Sequence, residues 1–352
     1  MTYQVPHELT DHATICGLNM NFLRESFEER AKKPHHKVTH TPEHGLSVRM
    51  KSGYMYLKEQ KDAIVLTAAS DRPDKLFKLK GTIGKILKEL QPDTFQELQW
   101  ANASDVGAMP PNLQLTRVLS VEPLGTAFVR VRLQVPNLSF IDDTSIHFGI
   151  ALPPETGNAP EWPYVNENGN AVWPKGDKAF HRPVYTSRTL YPEAGEMDFD
   201  VFLHESGRIS KWIKQLQPGD RMAMIGRGSN GGGLLDNNKV LMFGDETAFP
   251  AIAHILDKLP AGAEGTVTLE AENGADCGYP IVAPEGISIN WITRGKDKHL
   301  SEFAKEQCSA APDHFLWFAA ERQDAMRMRE FFRAQGKDPQ DAYVRAYWNR
   351  NG

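Results

Sequence analysis

Hydrophobic and polar positions along this chain follow three different rhythms in turn. Up to about residue 100 they mix the two regular periods. Residues 63–67, Ala-Ile-Val-Leu-Thr, read as a strand. Between residues 75 and 90, Leu76, Leu79, Ile83, Ile86, Leu87 and Leu90 recur at helical spacing and predict an amphipathic helix, with Pro92 as its stop. From about 113 to 235 the period is two. Val129, Val131, Leu133 and Val135 alternate with Arg130, Arg132 and Gln134. Met197, Phe199, Val201 and Leu203 alternate in the same way around Asp198 and Asp200, and the turn Pro218-Gly219-Asp220 precedes a further apolar run. Short alternating strands with turn signals predict an antiparallel barrel or sandwich. Residues 153–178, rich in Pro, Asn and Gly, read as a long excursion. After about 236 the strands become continuous apolar runs, each followed by a turn and a helix. Lys239-Val-Leu-Met-Phe243 leads to a face of Ile252, Ile255, Leu256 and Leu259, and Phe315-Leu-Trp-Phe-Ala-Ala320 leads to a helix that Gly336 closes. That repetition predicts a parallel α/β sheet with its binding crevice at the carboxyl ends of the strands.

The expected organisation is therefore a multi-domain α+β chain: a small α+β domain at 1–100, a linker at 101–112, a β-barrel domain at 113–235 and an α/β domain at 236–352. A length of 352 residues is too great for one ordinary core. The linker is small and polar and ends in Pro110-Pro111. No internal repeat is visible.

Composition narrows the function classes. With 40 Lys+Arg against 45 Asp+Glu the net charge is −5, which argues against a general nucleic-acid binder. Cys16, Cys277 and Cys308 are far apart and form no C-x-x-C pair. That excludes a disulfide framework, a zinc ribbon and a cysteine-ligated cluster, and it suits a reducing compartment. The first residues are polar, without a basic segment and an apolar run behind it, so no signal peptide is expected. No apolar run has membrane-spanning length. The expected location is the cytoplasm.

Candidate chemistry concentrates in Tyr185-Thr186-Ser187-Arg188, followed after one strand by His204-Glu-Ser-Gly207-Arg-Ile209-Ser210-Lys-Trp212. A flavin site needs an aromatic face, a hydroxyl at the N5 edge, and donors with positive charge for a pyrophosphate. Tyr185 and Thr186 suit the first two needs. Arg188 and a Gly207–Ser210 turn opening a helix suit the third. Each also has a plainer reading: Tyr185 and Thr186 as ordinary strand residues, Ser210 as an N-cap, Trp212 as core, His204 as a structural histidine. Gly244-Asp245-Glu246-Thr247 is not a G-x-G-x-x-G fingerprint, and its two acids repel a pyrophosphate. Arg294 reads as a 2′-phosphate ligand or as a solvated charge. The glycine-rich segment 226–233 reads as a phosphate cradle or, more simply, a hinge. Lys75, Lys78, Lys80, Lys85 and Lys88 read as solvated helix lysines or an attraction for an anionic chelate. His35, His36, His40 and His44 lie close in sequence, but no carboxylate or cysteine set completes a metal site.

The order of these pieces resembles the siderophore-interacting proteins, FAD-dependent ferric-siderophore reductases of ferredoxin-reductase architecture. The matching stretches are 185–188, 204–212, 218–220, Gly244-Asp-Glu-Thr-Ala-Phe-Pro-Ala251, Ala320-Glu321 with Arg329 eight residues on, and the tail Tyr347-Trp348-Asn-Arg-Asn-Gly352. They cover residues 113–352. Residues 5–100 resemble a small bacterial domain of unassigned role, found alone or fused in front of such reductases. The resemblance implies a ferredoxin-reductase-like FAD barrel, an NAD(P)H domain, FAD as cofactor, NADPH or NADH as electron donor, and a ferric siderophore as substrate, with no metal held by the protein itself. It implies that Tyr185 and Thr186 act at the reacting edge. Cofactor contacts would come from Arg182, Ser187, Arg188, His204, Gly207, Ile209, Ser210, Trp212, Asp245, Thr247, Ala248, Arg294, Glu321 and Trp348. Departures are visible. The family's arginine two residues before the tyrosine is here Pro183, with Arg182 one place earlier, so that a bulge at Pro183 is needed to aim it. The family's Ala-Gly-Glu is Ala319-Ala320-Glu321. An NAD(P)H-dependent flavin or quinone reductase, and an iron-chelate delivery protein, stand as alternative functions.

Overall fold

The computed structural model describes residues 9–31, 37–41, 45–50, 52–92, 98–102, 106–141, 146–155, 159–204, 207–226, 237–337 and 342–350, with backbone only at 31, 37, 40 and 41. The histidines at 35, 36 and 44, the side chain of His40, and residues 227–233 of the glycine-rich segment lie outside this description. Contacts divide the chain into two compact units. One is residues 1–114, 150–183 and 223–228; the other is residues 115–149, 184–222 and 229–352.

The first unit contains a five-stranded antiparallel sheet. Its strands are β1 (Leu9–Cys16), β2 (Lys37–Thr41), β3 (Gly45–Met50), β4 (Gly53–Gln60) and β5 (Ala63–Ser70), in the order β1-β5-β4-β3-β2. Alternate residues of β1, β3, β4 and β5 turn inward. Ile15, Leu46, Val48, Met55, Leu57, Ile64 and Leu66 meet Leu23 and Phe27 of α1 (Met20–Ala31) and Leu79, Ile83 and Leu87 of α2 (Pro73–Leu90). The apolar stripe read from the sequence is the buried face of α2. Its lysines divide. Lys75 is paired with Asp71 at the surface, whereas Lys80 is buried, with its ammonium 2.6 Å from the equally buried Asp11 and 5.1 Å from the centre of the Trp100 ring. Lys80 is thus neither solvated nor free to attract an anion. Asp11 also accepts from the backbone of His12 and Asn102. The segment at 100–102 is therefore hydrogen-bonded to β1 rather than loose. In the excursion, β9 (Tyr164–Val165) and β10 (Ala171–Val172) form a hairpin whose Gly169 turns at φ 70°. A Cβ there would lie 3.0 Å from both Lys80 and Trp100, so glycine lets this loop close over the ion pair.

Six strands close into a barrel in the order β11-β12-β7-β6-β13-β8. They are β6 (Leu113–Leu124), β7 (Phe128–Gln134), β8 (His147–Ile150), β11 (Val184–Tyr191), β12 (Glu196–Phe202) and β13 (Arg221–Gly226). The alternation of the sequence thus builds a barrel and not a sandwich. Val131, Leu133, Met197 and Phe199 fill its interior. The intervening charges pair across β7 and β12, Arg130 with Asp200 and Arg132 with Asp198. A short helix, α3 (Arg208–Ile213), follows β12.

The carboxyl-terminal part is a parallel sheet of β14 (Lys239–Asp245), β15 (Glu264–Ala271), β16 (Ile287–Thr293), β17 (Phe315–Glu321) and β18 (Ala342–Trp348), ordered β16-β15-β14-β17-β18. The continuous apolar runs are explained by burial on both faces. Val240 and Met242 of β14 pack with α4 (Phe249–Leu256). Leu241 and Phe243 pack with α5 (Leu300–Ala310) and α6 (Arg322–Ala334). Strand order reverses between β14 and β17, which places the crevice at Asp245 and Glu321. No helix among the described residues is long and apolar enough to cross a membrane.

Removing one member of a buried ion pair leaves an uncompensated charge. Lys80→Ala should destabilise the full-length protein by about 3 to 5 kcal/mol in urea unfolding, whereas Lys75→Ala, which breaks only an exposed pair, should cost less than about 1 kcal/mol. Equal, small losses in both variants would contradict the role given to Lys80.

Candidate functional site

Strand β11 carries the first group of candidate residues. It pairs with β8 through Tyr185 opposite Phe148 and Thr186 opposite His147. On its other edge it pairs with β12, where Ser187 faces Phe199 and Thr189 faces Asp198. Two residues of β12 in succession thus meet residues two apart on β11, and the register shift falls at Arg188. A bulge increases local twist and re-aims a side chain. The sequence called for one at Pro183; the irregularity within the strand sits five residues later. Arg182 precedes β11, is exposed, and lies with its guanidinium 4.4 Å from the centre of the Trp173 ring.

Tyr185 is half-buried, its ring edge-on to Phe199 at 5.9 Å. Burial raises its phenol above the ordinary value. Ser187 is fully buried and donates to the Ile146 carbonyl, so its hydroxyl serves the barrel. Thr186 is buried with its hydroxyl 3.2 Å from His147 Nδ1, and His147 Nε2 lies 3.2 Å from the Tyr347 hydroxyl of β18. Arg188 is drawn toward α4: its guanidinium pairs with Asp257, and its carbonyl accepts from His254 Nδ1. Its Nε is buried with no hydrogen-bond partner among the described residues.

The second group surrounds α3. Gly207 caps the helix. A Cβ at Gly207 would lie 2.5 Å from His204 Nε2 and 2.9 Å from Ser210 Oγ, so a side chain there would displace the His204 ring and crowd the Ser210 hydroxyl. Ser210 is buried, and its Oγ accepts from the His204 backbone, which fixes the approach to the helix rather than capping it. Ile209 is buried, Trp212 half-buried, and His204 is exposed with its ring stacked over Phe202. The first amides of such a helix have no intrahelical acceptor.

The third group lies at the crevice of the parallel sheet. Asp245 is buried and accepts from the Thr247 backbone at 3.0 Å and from Trp348 Nε1 at 2.6 Å. Burial pushes its carboxyl up to about 6 against those bonds. Glu246 is also buried and is held by Arg294, which in addition reaches Glu270 at 3.2 Å. Arg294 is therefore an internal counter-ion for two glutamates rather than a solvated charge. Ala248 is fully buried and Thr247 half-exposed. Glu321 caps α6 through the Gln323 amide and accepts from the Arg350 backbone. Burial raises its carboxyl, but these backbone bonds outweigh it and hold the group below its ordinary range.

His147, His254 and Asp257 were not singled out by sequence. The two histidines are single polar residues in apolar segments and Asp257 is one of two charges after a helix, patterns that ordinary structural residues share. Only the register of β8 against β11, and the packing of α4 on β11, reveal their partners.

A closed antiparallel barrel followed by a parallel sheet of this order is the ferredoxin-reductase-like architecture, in which the barrel binds FAD. The residues fit such a group: a Tyr185 ring only partly covered by the barrel, a buried Arg188 Nε with no hydrogen-bond partner among the described residues, and a tight turn at Gly207 against His204 and Ser210. The chain belongs to the siderophore-interacting protein family. Residues 117–230 match the siderophore-interacting FAD-binding domain, and residues 237–351 match the siderophore-interacting protein domain. The NADPH-dependent ferric-chelate reductase of Escherichia coli is 30% identical over 243 residues, 66% of this chain and 91% of that one. The ferric vibriobactin reductase ViuB of Vibrio cholerae is 27% identical over 219 residues, 59% of this chain and 78% of that one. Among solved structures, a siderophore utilization protein from T. fusca aligns with a TM-score of 0.58 at 23% identity, covering 68% of this chain and 94% of that one. The siderophore-interacting protein SipS from Aeromonas hydrophila aligns with a TM-score of 0.56 at 24% identity, covering 68% and 99%.

Asp245 provides a pH test of the crevice geometry. Its folded value of about 6 lies above the ordinary 3.8, so the folded chain keeps a proton that the unfolded chain has lost. The resulting stability is full below about pH 4 and is lost as pH rises through about 6. Asp245→Asn cannot titrate. Wild-type stability minus variant stability should therefore fall by roughly 2 to 3 kcal/mol across that window and stay flat above it, as read by urea unfolding at a series of pH values. A difference independent of pH would contradict the burial of this carboxyl.

Proposed function

We propose that this protein is an FAD-dependent reductase that uses NADPH or NADH to reduce ferric siderophores, releasing iron(II) in the cytoplasm. Residues 113–235 would hold FAD and residues 236–352 the nicotinamide donor. The observation that carries the reading is the arrangement along β11, where a half-buried aromatic ring, a buried hydroxyl and a guanidinium nitrogen with no partner among the described residues follow within four residues. The family membership and the names of the two curated relatives support the same chemistry.

Tyr185 would cover one face of the isoalloxazine and exclude water from it, Thr186 would meet the N5 edge, and Arg188 with the 207–210 turn would bind the pyrophosphate. Bound flavin supplies the conversion between a two-electron nicotinamide donor and a one-electron acceptor. The crevice at Asp245, Thr247 and Glu321 would receive the nicotinamide. Arg294 lessens the negative charge there by pairing with Glu246, which makes approach of a pyrophosphate less costly than the bare sequence suggests. The substrate iron(III) sits among hard oxygen donors; on gaining one electron it becomes softer and less charged, and the chelate loosens. No proton transfer to the iron complex is needed, which agrees with a site built for positioning.

The test is an anaerobic spectrum of the purified, FAD-loaded protein. NADPH or NADH should bleach the flavin absorbance, and ferric siderophores should restore it faster than ferricyanide or quinones do. Faster reoxidation by quinones would favour a general flavin-type reductase, and a protein that takes no FAD would sink the reading. Arg188→Ala should weaken FAD binding by roughly ten- to hundredfold with the larger salt dependence. Tyr185→Ala should weaken it with little dependence on salt, both measured by equilibrium dialysis. Undiminished binding in both variants would refute the site.

A further inference from the structure

We propose that the small amino-terminal domain mounts the 153–183 excursion so that the Arg182 guanidinium, laid on the Trp173 ring, receives an oxyanion of the substrate, and that the preferred chelates are those with net negative charge. The inference rests on the reading above for its substrate, a ferric chelate, and narrows the class. Arg182 is exposed, and its guanidinium makes no ion pair or hydrogen bond among the described residues; it is oriented by the indole, 4.4 Å from the ring centre. Stacking of this kind fixes the plane of a guanidinium and leaves its N–H fork free for a carboxylate, catecholate or phosphate oxygen. Tyr185 follows three residues on, a span of at most about 11 Å of chain. A chelate held at Arg182 therefore stays near the strand that carries Tyr185.

The position of the pair is set by the amino-terminal domain, which shares one compact unit with the excursion. Trp173 leaves β10 directly, and its ring and that of Trp162 pack on the buried Phe180. β10 pairs with β9 through a turn that Asn166 shapes. Its side chain accepts from the Asn168 and Asn170 amides, and its carbonyl accepts from Gly169. This turn is seated on the amino-terminal domain. Gly169 lies against Lys80 and Trp100, and a Cβ at Gly81 of α2 would lie 3.5 Å from the Asn170 side chain. β9 is held as well: Val165 accepts from the Gly107 amide at 2.8 Å and donates to the Ala108 carbonyl at 2.9 Å. A few residues earlier the same connecting segment is tied to β1, where Ala101 donates to the His12 carbonyl at 2.7 Å. The excursion is thus fixed at its turn and along one strand, and that gives the amino-terminal domain a task in the reaction.

Charge separates the chelate classes. A catecholate brings two negative charges and a hydroxamate one, so a tris-catecholate complex of iron(III) is anionic and a trihydroxamate complex is neutral. Gallium(III) has the same charge and accepts no electron from flavin, so its chelates report binding without turnover.

The experiment is equilibrium dialysis of the full-length protein with both gallium chelates. The tris-catecholate should bind more tightly. Arg182→Gln should weaken it by about tenfold and leave the trihydroxamate unchanged, whereas Lys175→Gln, which removes the same charge from an exposed neighbour, should cost about twofold or less. Gly169→Ala sets a methyl against Lys80 and Trp100 at a φ of 70°. It should weaken tris-catecholate binding, add little to Arg182→Gln in the double variant, and speed amide hydrogen exchange across residues 171–182. Asn166→Ala, which loosens the turn from within, decides the matter if Gly169→Ala does not fold. Equal binding of the two chelates, or no loss in Arg182→Gln, would overturn the inference. So would a loss of FAD rather than of chelate in Arg182→Gln, because the guanidinium would then serve a cofactor phosphate. Unchanged exchange and binding in the turn variants would overturn the part given to the amino-terminal domain. None of these readouts needs flavin, so a wild-type protein that binds the tris-catecholate but takes no FAD would overturn the reductase reading and leave this inference standing.

Discussion

Strand β11 is gripped from the parallel-sheet part of the same unit at two points, and the site depends on that grip. Thr186 is bound through His147 to Tyr347 of β18, and Arg188 is bound to α4 through both its carbonyl and its guanidinium. A strand that must present an aromatic ring, a hydroxyl and a positive charge in fixed relation cannot be free to twist. The register shift at Arg188 turns that side chain toward α4, while the regular pairing with β8 keeps Thr186 on His147. Buried polar bonds of this kind contribute only modestly to stability, but leaving one unmade is costly. They therefore specify one arrangement of barrel strand and sheet rather than merely strengthening it.

The crevice shows a second use of the same principle. Two adjacent acids at a strand end look hostile to any nucleotide. Folding gives each a separate remedy: Asp245 is enclosed by Thr247 and Trp348, and Glu246 is covered by the Arg294 guanidinium. The tail residue Trp348 and the strand-end residue Arg294 are far apart in sequence, yet both serve the loop that follows β14. The central position of β14 in the sheet is what lets neighbours on either side reach it.

Much of this was legible from residues. The stripe of α2 and the alternation of β7 and β12 follow directly from which side chains must leave water, and β14 and β17 read as buried because they are apolar without alternation. Periodicity alone does not distinguish a barrel from a sandwich, since both bury every second residue; closure is a property of strand order. Nor does periodicity reveal the register shift at Arg188, where no residue marks an irregularity. Lys80 resembles its neighbours on the helix, and only its meeting with Asp11 and Trp100, distant in sequence, makes it a buried ion. His147 is the strongest case. A histidine in a four-residue apolar strand has no local signature, and its partners lie 39 and 200 residues away.

The most direct test of the central claim is a crystal structure of the protein with FAD. The account predicts the isoalloxazine against the Tyr185 ring with its N5 edge at Thr186, and the pyrophosphate between Arg188 and the turn before α3. Flavin bound elsewhere on the molecule, with β11 facing empty solvent, would contradict it.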